Sequence, residues 1–405
     1  MTLREKLEEI GQSQLLKFED EITPGEKEEL YKQIESIDFG VIKELDSLNN
    51  PAKKGKISPL GALDLDAISA RKKDYFNAGV KAIKEGKVGA VLLAGGMGTR
   101  LGSNDPKGMY NIGLTKPLYI FECLINNLTD VVKETDTYIY LYVMTSDLNY
   151  ESTTKFFKKH DYFGYPSDHI LFFKQEMAPC CDYNGKVLLE KKNKVAVSPN
   201  GNGGWFLSMM KTGILNHVHE HGIELLNVFS VDNVLQRICD PVFVGATLLE
   251  GKTVGAKVVR KNHPDEKVGA MCLEDGRPSI IEYYDLTDDL RDQVDDKGER
   301  VYNFGVILNY LFHVDELEKI VNESLPYHVV EKKIPCLDSD GNEVKPEAPN
   351  GYKFEQLVLD MIHLAESCLP FEVLREHEFA PVKNRTGVDS VDSARVLLEK
   401  NGKVL

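Results

Sequence analysis

The stretch Leu93-Ala94-Gly95-Gly96-Met97-Gly98-Thr99-Arg100-Leu101-Gly102, followed at once by Asp105-Pro106-Lys107-Gly108, joins an apolar run to a glycine-rich loop carrying two cations. Upstream, Val88-Gly89-Ala90-Val91-Leu92-Leu93-Ala94 is wholly apolar, the pattern of a strand buried on both faces of a parallel sheet. Gly95, Gly96 and Gly98 carry no Cβ, so they can take positive φ and let backbone N–H groups converge on an anion. Arg100 offers a forked donor that matches phosphate, and Lys107 a mobile point charge behind a rigid proline. The pattern predicts a grip on the phosphates of a nucleoside triphosphate. A Walker A loop would end in Gly-Lys-Ser/Thr, and a dinucleotide fingerprint would need a third glycine where Leu101 stands, so the loop is neither. The bland alternative, a turn that only joins strand to helix, leaves the adjoining Arg100 and Lys107 unexplained.

Working outward, apolar strand candidates recur at 138–144, 169–173 and 225–231, separated by helical stretches such as Glu151 to His160. Such alternation predicts an α/β fold, a Rossmann-like mixed sheet flanked by helices, with ligands bound at the carboxyl ends of its strands. Residues 1–85 alternate charged and apolar positions in helical style, broken by Pro24 and by an Asn49-Asn50-Pro51 turn, and read as an N-terminal helical region. Residues 86–334 hold the strands and the glycine-rich motifs and are expected to form the domain that carries the site. Residues 335–405 form a shortened C-terminal part, entered through a proline-rich loop at 335–351 and containing an amphipathic helix from Phe354 to Leu364.

Composition narrows the function classes. The net charge of −15 argues against nucleic acid or an anionic membrane as the main partner, because both reward basic surfaces. No apolar stretch reaches the roughly 20 residues of a membrane span, and the N-terminal residues lack a signal core and the acid-poor character of a transit peptide. Seven scattered cysteines point to a reducing compartment, the cytoplasm being the simplest, and the vicinal pair Cys180-Cys181 lacks the spacing of a redox motif.

Beyond the first loop, Asp232 follows the apolar strand that ends at Val231, where a sheet presents ligands. One carboxylate with triphosphate oxygens and water is how Mg²⁺ is normally held, although an Asp here could also cap the next turn. Gly201-Asn202-Gly203-Gly204 is a second glycine-rich loop before a helix, able to bring the Asn202 amide near a ring or ribose, or else a flexible turn. Gly269, Glu282, Tyr283 and Asn303 end or interrupt strand-like runs and offer the carboxylates and amides that sugar hydroxyls prefer, each equally readable as a solvated strand end. Lys353 and Lys383 are late cations able to reach phosphate. His217, His219 and His221 have the spacing of metal ligands but lack a third partner type nearby. No Ser-His-Asp or Cys-His system stands out. A phosphate nucleophile is already ionised near neutral pH, so its catalysis reduces to positioning and charge neutralisation.

These motifs, with Gln175, Lys192-Asn193-Lys194-Val195, Val231-Asp232-Asn233, Gly255-Ala256-Lys257-Val258-Val259, Glu282-Tyr283, Lys332-Lys333-Ile334-Pro335 and Pro381-Val382-Lys383-Asn384, resemble the eukaryotic-type UDP-N-acetylglucosamine pyrophosphorylases over roughly residues 90–385. The resemblance implies a nucleotide-diphospho-sugar transferase-like fold. The implied activity is a Mg²⁺-dependent uridylyltransfer joining UTP and N-acetylglucosamine 1-phosphate to give UDP-N-acetylglucosamine and pyrophosphate. It assigns Leu93, Ala94, Gly95, Gly96, Gln175, Gly201, Asp232 and Lys353 to the nucleotide, and Asn202, Gly269, Glu282, Tyr283 and Asn303 to the sugar. Arg100, Lys107 and Lys383 become the catalytic cations, and Asp232 the metal ligand. Three features depart from the family pattern. Asn303-Phe304-Gly305-Val306 stands for Asn-Ala-Gly-Asn, Leu357 and Leu359 stand for aromatic residues, and Asn200 stands for an aspartate. The shortened C-terminal part predicts a monomer. A UDP-glucose or broad-specificity pyrophosphorylase, and a non-catalytic nucleotide-sugar binding protein, are the alternatives.

Overall fold

The computed structural model describes residues 2–49, 54–323 and 325–405. Its residues divide into two compact units: Met1–Lys53, Glu176–Gly204 and Leu325–Val358 form one, and Lys54–Gln175, Trp205–Ser324 and Leu359–Leu405 the other. Each of the segments 1–85, 86–334 and 335–405 is therefore shared between the units, because strands that are neighbours in space come from distant stretches of chain.

The larger unit is built on a ten-stranded mixed sheet. In chain order its strands are β1 (Ile57–Ser58), β2 (Val88–Leu93), β3 (Leu141–Thr145), β4 (Ile170–Lys174), β5 (Leu225–Ser230), β6 (Val254–Arg260), β7 (Ala270–Glu274), β8 (Arg277–Ile281), β9 (Phe304–His313) and β10 (Cys368–Glu372). The main path runs β1-β7-β9-β5-β2-β3-β4, with β8 beside β7 and with β6 pairing both β9 and β10. The β5-β2-β3-β4 portion is parallel, and every residue of β2 and β3 is buried. This is the all-apolar, doubly covered strand expected from the 88–94 run. The helix Ile120–Thr135 connects β2 to β3, and its Phe121, Leu124 and Leu128 join Ala90, Leu92 and Val143 in one core. The helix expected at 151–160 forms as Tyr150–Lys159.

The helix Leu65–Lys84 starts at Asp64, whose carboxylate accepts from the Ala67 N–H at 2.8 Å. It crosses the helix Pro241–Leu249 so closely that a Cβ on Gly79 would run into the Pro241 carbonyl, and one on Gly245 into the Tyr75 carbonyl. Because the obstacle is backbone on both sides, Gly79→Ala is expected to cost about 1–3 kcal/mol, read as a lower urea midpoint at unchanged m-value.

The smaller unit holds the helices Leu3–Glu9 and Pro24–Ser36, the latter capped by Thr23 with Pro24 in its first turn. Leu7, Leu15, Leu16, Phe18, Leu30 and Ile34 pack with Val187, Leu189 and Val195. Among the described residues it also holds four two-stranded ladders, one of them His328–Lys332 with Gly351–Glu355. The helix expected from Phe354 begins instead at Val358, because Phe354 is a fully buried strand residue facing Val329. The proline-rich stretch at 335–351 contains a short hairpin, Cys336–Leu337 with Glu343–Val344. Of the turn expected at Asn49-Asn50-Pro51, the last two residues lie outside the described residues. All seven cysteines are unpaired, Cys180 and Cys181 included. Among the described residues no helix is long and apolar enough to cross a membrane.

Candidate active site

The loop after β2 is shaped by its neighbours more than by its own glycines. Ala94 N–H donates to the Met144 carbonyl at 2.9 Å, extending the parallel ladder one residue past Leu93. Fully buried Asn149 then clamps the turn. Its side-chain amide donates to the Ala94 carbonyl at 2.9 Å, and its Oδ1 accepts from the Ser146 N–H at 2.7 Å. Gly98 N–H to Asp105 O at 2.8 Å and Lys107 N–H to Gly96 O at 3.2 Å fold the loop back on itself. The expected use of positive φ at Gly95, Gly96 and Gly98 is corrected here, since only Gly102 of this loop adopts it, at 79°. Gly95 is required for another reason: the Gln175 amide lies where its Cβ would be. The two residues assigned to the nucleotide are thus in direct contact.

Arg100 sits exposed in a single 3₁₀ turn, Thr99–Leu101, with no ion-pair partner among the described residues. Lys107 is only 7% exposed, and its ammonium forms an ion pair with the Asp232 carboxylate. Asp232 lies two residues beyond β5, and its backbone carbonyl accepts from the Val382 N–H at 2.9 Å. Asn233 staples the same two segments. Its amide donates to the Glu378 carbonyl at 2.7 Å, and its Oδ1 accepts from the Ala380 N–H at 2.9 Å. The segment 378–382 leads directly into Lys383, whose backbone N–H donates to the Asp389 carbonyl at 2.7 Å and whose ammonium lies 3.7 Å from the Asp389 carboxylate. Lys107, Asp232 and Lys383 are therefore tied into one framework by Asn233, a residue the sequence offered only as a neighbour of Asp232.

A second group gathers where β7, β8 and β9 meet. Gly269 is buried, and a Cβ there would lie 2.7 Å from Ile280 Cγ2 and 3.6 Å from both Glu282 Oε1 and Val306 Cγ2. Burial, then the charge of Asp285, raises the Glu282 carboxyl above its ordinary pKa, while Lys383 and Lys54 pull it down. Lys383 thus connects the cationic group to this pocket electrostatically. Asn303 is 7% exposed, with its Oδ1 unbonded among the described residues. Tyr283 is 41% exposed and meets Tyr284 edge-on, the ring centres 5.1 Å apart.

Gly201, Asn202 and Lys353 belong to the smaller unit. Gly201 has φ of 88° and lies against the Gln356 backbone, so this glycine answers both a left-handed conformation and a close approach. Asn202 Oδ1 accepts from the Val358 N–H at 3.0 Å, which commits its carbonyl to the start of the helix Val358–Leu364 and leaves its NH₂ as the group able to meet a ligand. Lys353 is half-buried on the strand Gly351–Glu355, opposite Val330.

The histidines do not gather as a metal site. His217 bonds the Tyr142 hydroxyl at 2.9 Å and stacks on His221, while His219 faces Glu318 at 3.0 Å. Among the described residues no cluster of three or more His, Cys, Asp or Glu is able to hold a metal.

A parallel strand delivering a glycine-lined loop, a lysine of that loop paired with the carboxylate that follows the neighbouring parallel strand, and a carboxylate and an amide at the ends of adjoining strands are the features of an α/β nucleotidyltransferase. The family described as UTP–glucose-1-phosphate uridylyltransferase matches residues 48–404, and the chain belongs to it. The UDP-N-acetylhexosamine pyrophosphorylase-like protein 1 of Mus musculus is 36% identical over 412 residues, covering 96% of this chain and 81% of that protein. The UDP-N-acetylglucosamine pyrophosphorylase of Saccharomyces cerevisiae is 34% identical over 423 residues, 97% of this chain and 88% of that one. The crystal structure of the Trypanosoma brucei UDP-N-acetylglucosamine pyrophosphorylase with an inhibitor superposes with a TM-score of 0.83 at 26% identity, covering 97% of this chain and 83% of that chain.

Proposed function

We propose that the chain makes UDP-N-acetylglucosamine and pyrophosphate from UTP and N-acetylglucosamine 1-phosphate. A phosphate oxygen of the sugar phosphate attacks the α-phosphorus of UTP, the bond from that phosphorus to the bridging oxygen breaks, and pyrophosphate leaves with the bond's electron pair. The observation that carries this reading is the ion pair between nearly buried Lys107 and partly exposed Asp232, beside the loop of Gly95 and Gly96. No general base is needed, because the nucleophile is already an anion. The difficulty is charge: like charges 4 Å apart repel by about 4 kcal/mol at an effective dielectric of 20, and a sugar phosphate meets several on a triphosphate. Lys107, Lys383 and Arg100 offset that repulsion, and Gln175 and the loop backbone hold the nucleotide.

Magnesium fits the donor set. Asp232 supplies one partly exposed carboxylate, and with no larger cluster among the described residues the remaining ligands would be phosphate oxygens and water. When bound, the ion would supply further neutralisation of phosphate charge. The reading includes a cytoplasmic monomer that works on small molecules, independently of nucleic acid and membranes. The net charge of −15 and the unpaired cysteines support it, and gel filtration with cell fractionation tests it.

One observation favours a broader sugar range. Val306 lies beside Gly269 and Glu282, where the family pattern has an asparagine, so one amide is missing from the pocket. Pyrophosphate release from UTP and Mg²⁺, measured in parallel with N-acetylglucosamine, N-acetylgalactosamine, glucose and galactose 1-phosphates, decides between the readings. Preference for the N-acetylated sugars is expected. A glucose preference would move the chain to the UDP-glucose reading, and no release with any sugar would leave a binding protein.

A further inference from the structure

Strands β6 and β9 pair antiparallel as far as Arg260 opposite Phe304. The next backbone bond, Lys261 N–H to the Asn303 carbonyl at 2.9 Å, carries the register one residue further. Cross-strand partners project to the same face, so the side chains of Lys261 and Asn303 leave the sheet together. Arg260 and Phe304 take the other face, the guanidinium 5.0 Å from the ring centre. Lys261 is 5% exposed and Asn303 7%, yet neither the Lys261 ammonium nor Asn303 Oδ1 has a hydrogen-bond partner among the described residues. A donor and an acceptor stand side by side, buried, and unbonded to each other.

The surrounding charges do not resolve this. Glu266 is committed elsewhere: Arg375 Nη2 donates to its two carboxylate oxygens at 2.7 and 2.9 Å, and the Asn262 N–H donates to it at 2.9 Å. Burial holds the Lys261 pKa below the ordinary lysine range and Arg300 adds to that, while the charges of Glu266 and Glu282 oppose it without reversing it. Arg300 itself donates to the Lys261 carbonyl at 3.4 Å through Nη2 and has Nη1 buried and unpaired. A buried, unpaired ammonium is among the costliest groups a fold can carry, and replacing one with an apolar chain commonly stabilises. A lysine retained only to complete the fold would be bonded within it.

We propose that Lys261 is a substrate-contacting residue that reads the hydroxyl pattern of the sugar 1-phosphate, its ammonium donating to one ring hydroxyl while Asn303 Oδ1 accepts from a ring hydroxyl beside it. This rests on the reading of Asn303 as a sugar-binding residue. A hydroxyl both accepts and donates, so it satisfies the lysine and the amide oxygen together. A phosphate would meet the Asn303 oxygen and the field of Glu282, both of which repel it.

The test is Lys261→Met in the full chain, with Lys261→Gln, which keeps a neutral donor, as companion. For Lys261→Met, KM for the sugar 1-phosphate should rise at least about tenfold while KM for UTP stays within twofold. The melting temperature of the substrate-free variant should be unchanged or higher. Lys261→Gln should recover part of the loss. Among sugar 1-phosphates lacking the 3-, 4- or 6-hydroxyl, the wild type should lose most on one, and Lys261→Met should lose no more on that one. An unchanged sugar KM in the variant would overturn the inference, as would a lowered melting temperature with both KM values shifted, or equal losses on every deoxy analogue. A wild type that neither binds nor turns over any sugar phosphate overturns the functional reading and the inference with it. A wild type that binds the sugar phosphate no better than Lys261→Met does, by calorimetric titration, overturns the inference alone.

Discussion

Replacement of Lys107 by alanine should lower turnover by about a thousandfold, roughly 4 kcal/mol of transition-state stabilisation, while leaving the fold nearly intact. Lys107 is nearly buried, but its partner Asp232 keeps a quarter of its side-chain surface in solvent, so the carboxylate left behind can hydrate. The structural cost is therefore modest. The catalytic cost is not, because a fixed ammonium at the loop acts where charge builds up between α-phosphate and departing pyrophosphate. Steady-state kinetics in both directions, beside thermal melts, separate the two. Turnover within a few-fold of wild type would remove Lys107 from the chemistry, and a matching fall in melting temperature would recast it as structural.

Lys257→Met should act first on the fold, destabilising it by about 3–5 kcal/mol. Lys257 is fully buried on β6, with its ammonium 2.6 Å from Glu378 and 3.3 Å from Asp240. Burial raises the Glu378 carboxyl above its ordinary value despite Lys257, whereas Lys257 and Arg237 hold the Asp240 carboxyl below its own despite burial. In the wild type the two groups pull in opposite directions. Glu378 adds stability below its unfolded pKa that is lost as pH rises through the folded value, and Asp240 adds stability above its unfolded pKa that is lost as pH falls through the folded value. Without the ammonium, burial raises Glu378 further and Arg237 alone is left to hold Asp240 down, so the deficit of the variant should be large at pH 7 and shrink toward pH 5. Urea denaturation of both proteins at the two pH values measures this, and a deficit that grows on acidification would contradict the assignment. Because Glu378 begins the segment that Asn233 fastens beside Asp232, turnover should fall as well.

Strand β2 and its loop were legible because the signal is local, an apolar run covered on both faces and then glycines and cations within a few residues. Asp232 was legible for the same reason, as the first polar residue after an apolar strand. The role of Gly95 was not, because it is set by Gln175, which arrives through the pairing of β4 with β3 and of β3 with β2. Phe354 has helical spacing with the residues after it, yet pairing with His328–Lys332 draws it into a strand. Tertiary contact overrides periodicity there. Lys257 announced itself faintly, as one charge inside an otherwise apolar strand. Lys261 gave no such sign, since a lysine before a turn is ordinarily solvated, and only the partner strand β9 buries it.

The two units each draw on three separated stretches of chain, and this bears on synthesis. A ribosome releases the chain from its N-terminal end, so the helices Leu3–Glu9 and Pro24–Ser36 emerge long before Val187, Leu189 and Val195, with which they share a core. The ladder between His328–Lys332 and Gly351–Glu355 closes later still, and β10 reaches β6 only after more than a hundred residues have intervened. Apolar surface must therefore wait unpaired during elongation, and loop closure on this scale makes folding slow. Nascent chains stalled before Cys368 should lean heavily on chaperones, and expression at lower temperature, where aggregation competes less, should raise the soluble yield.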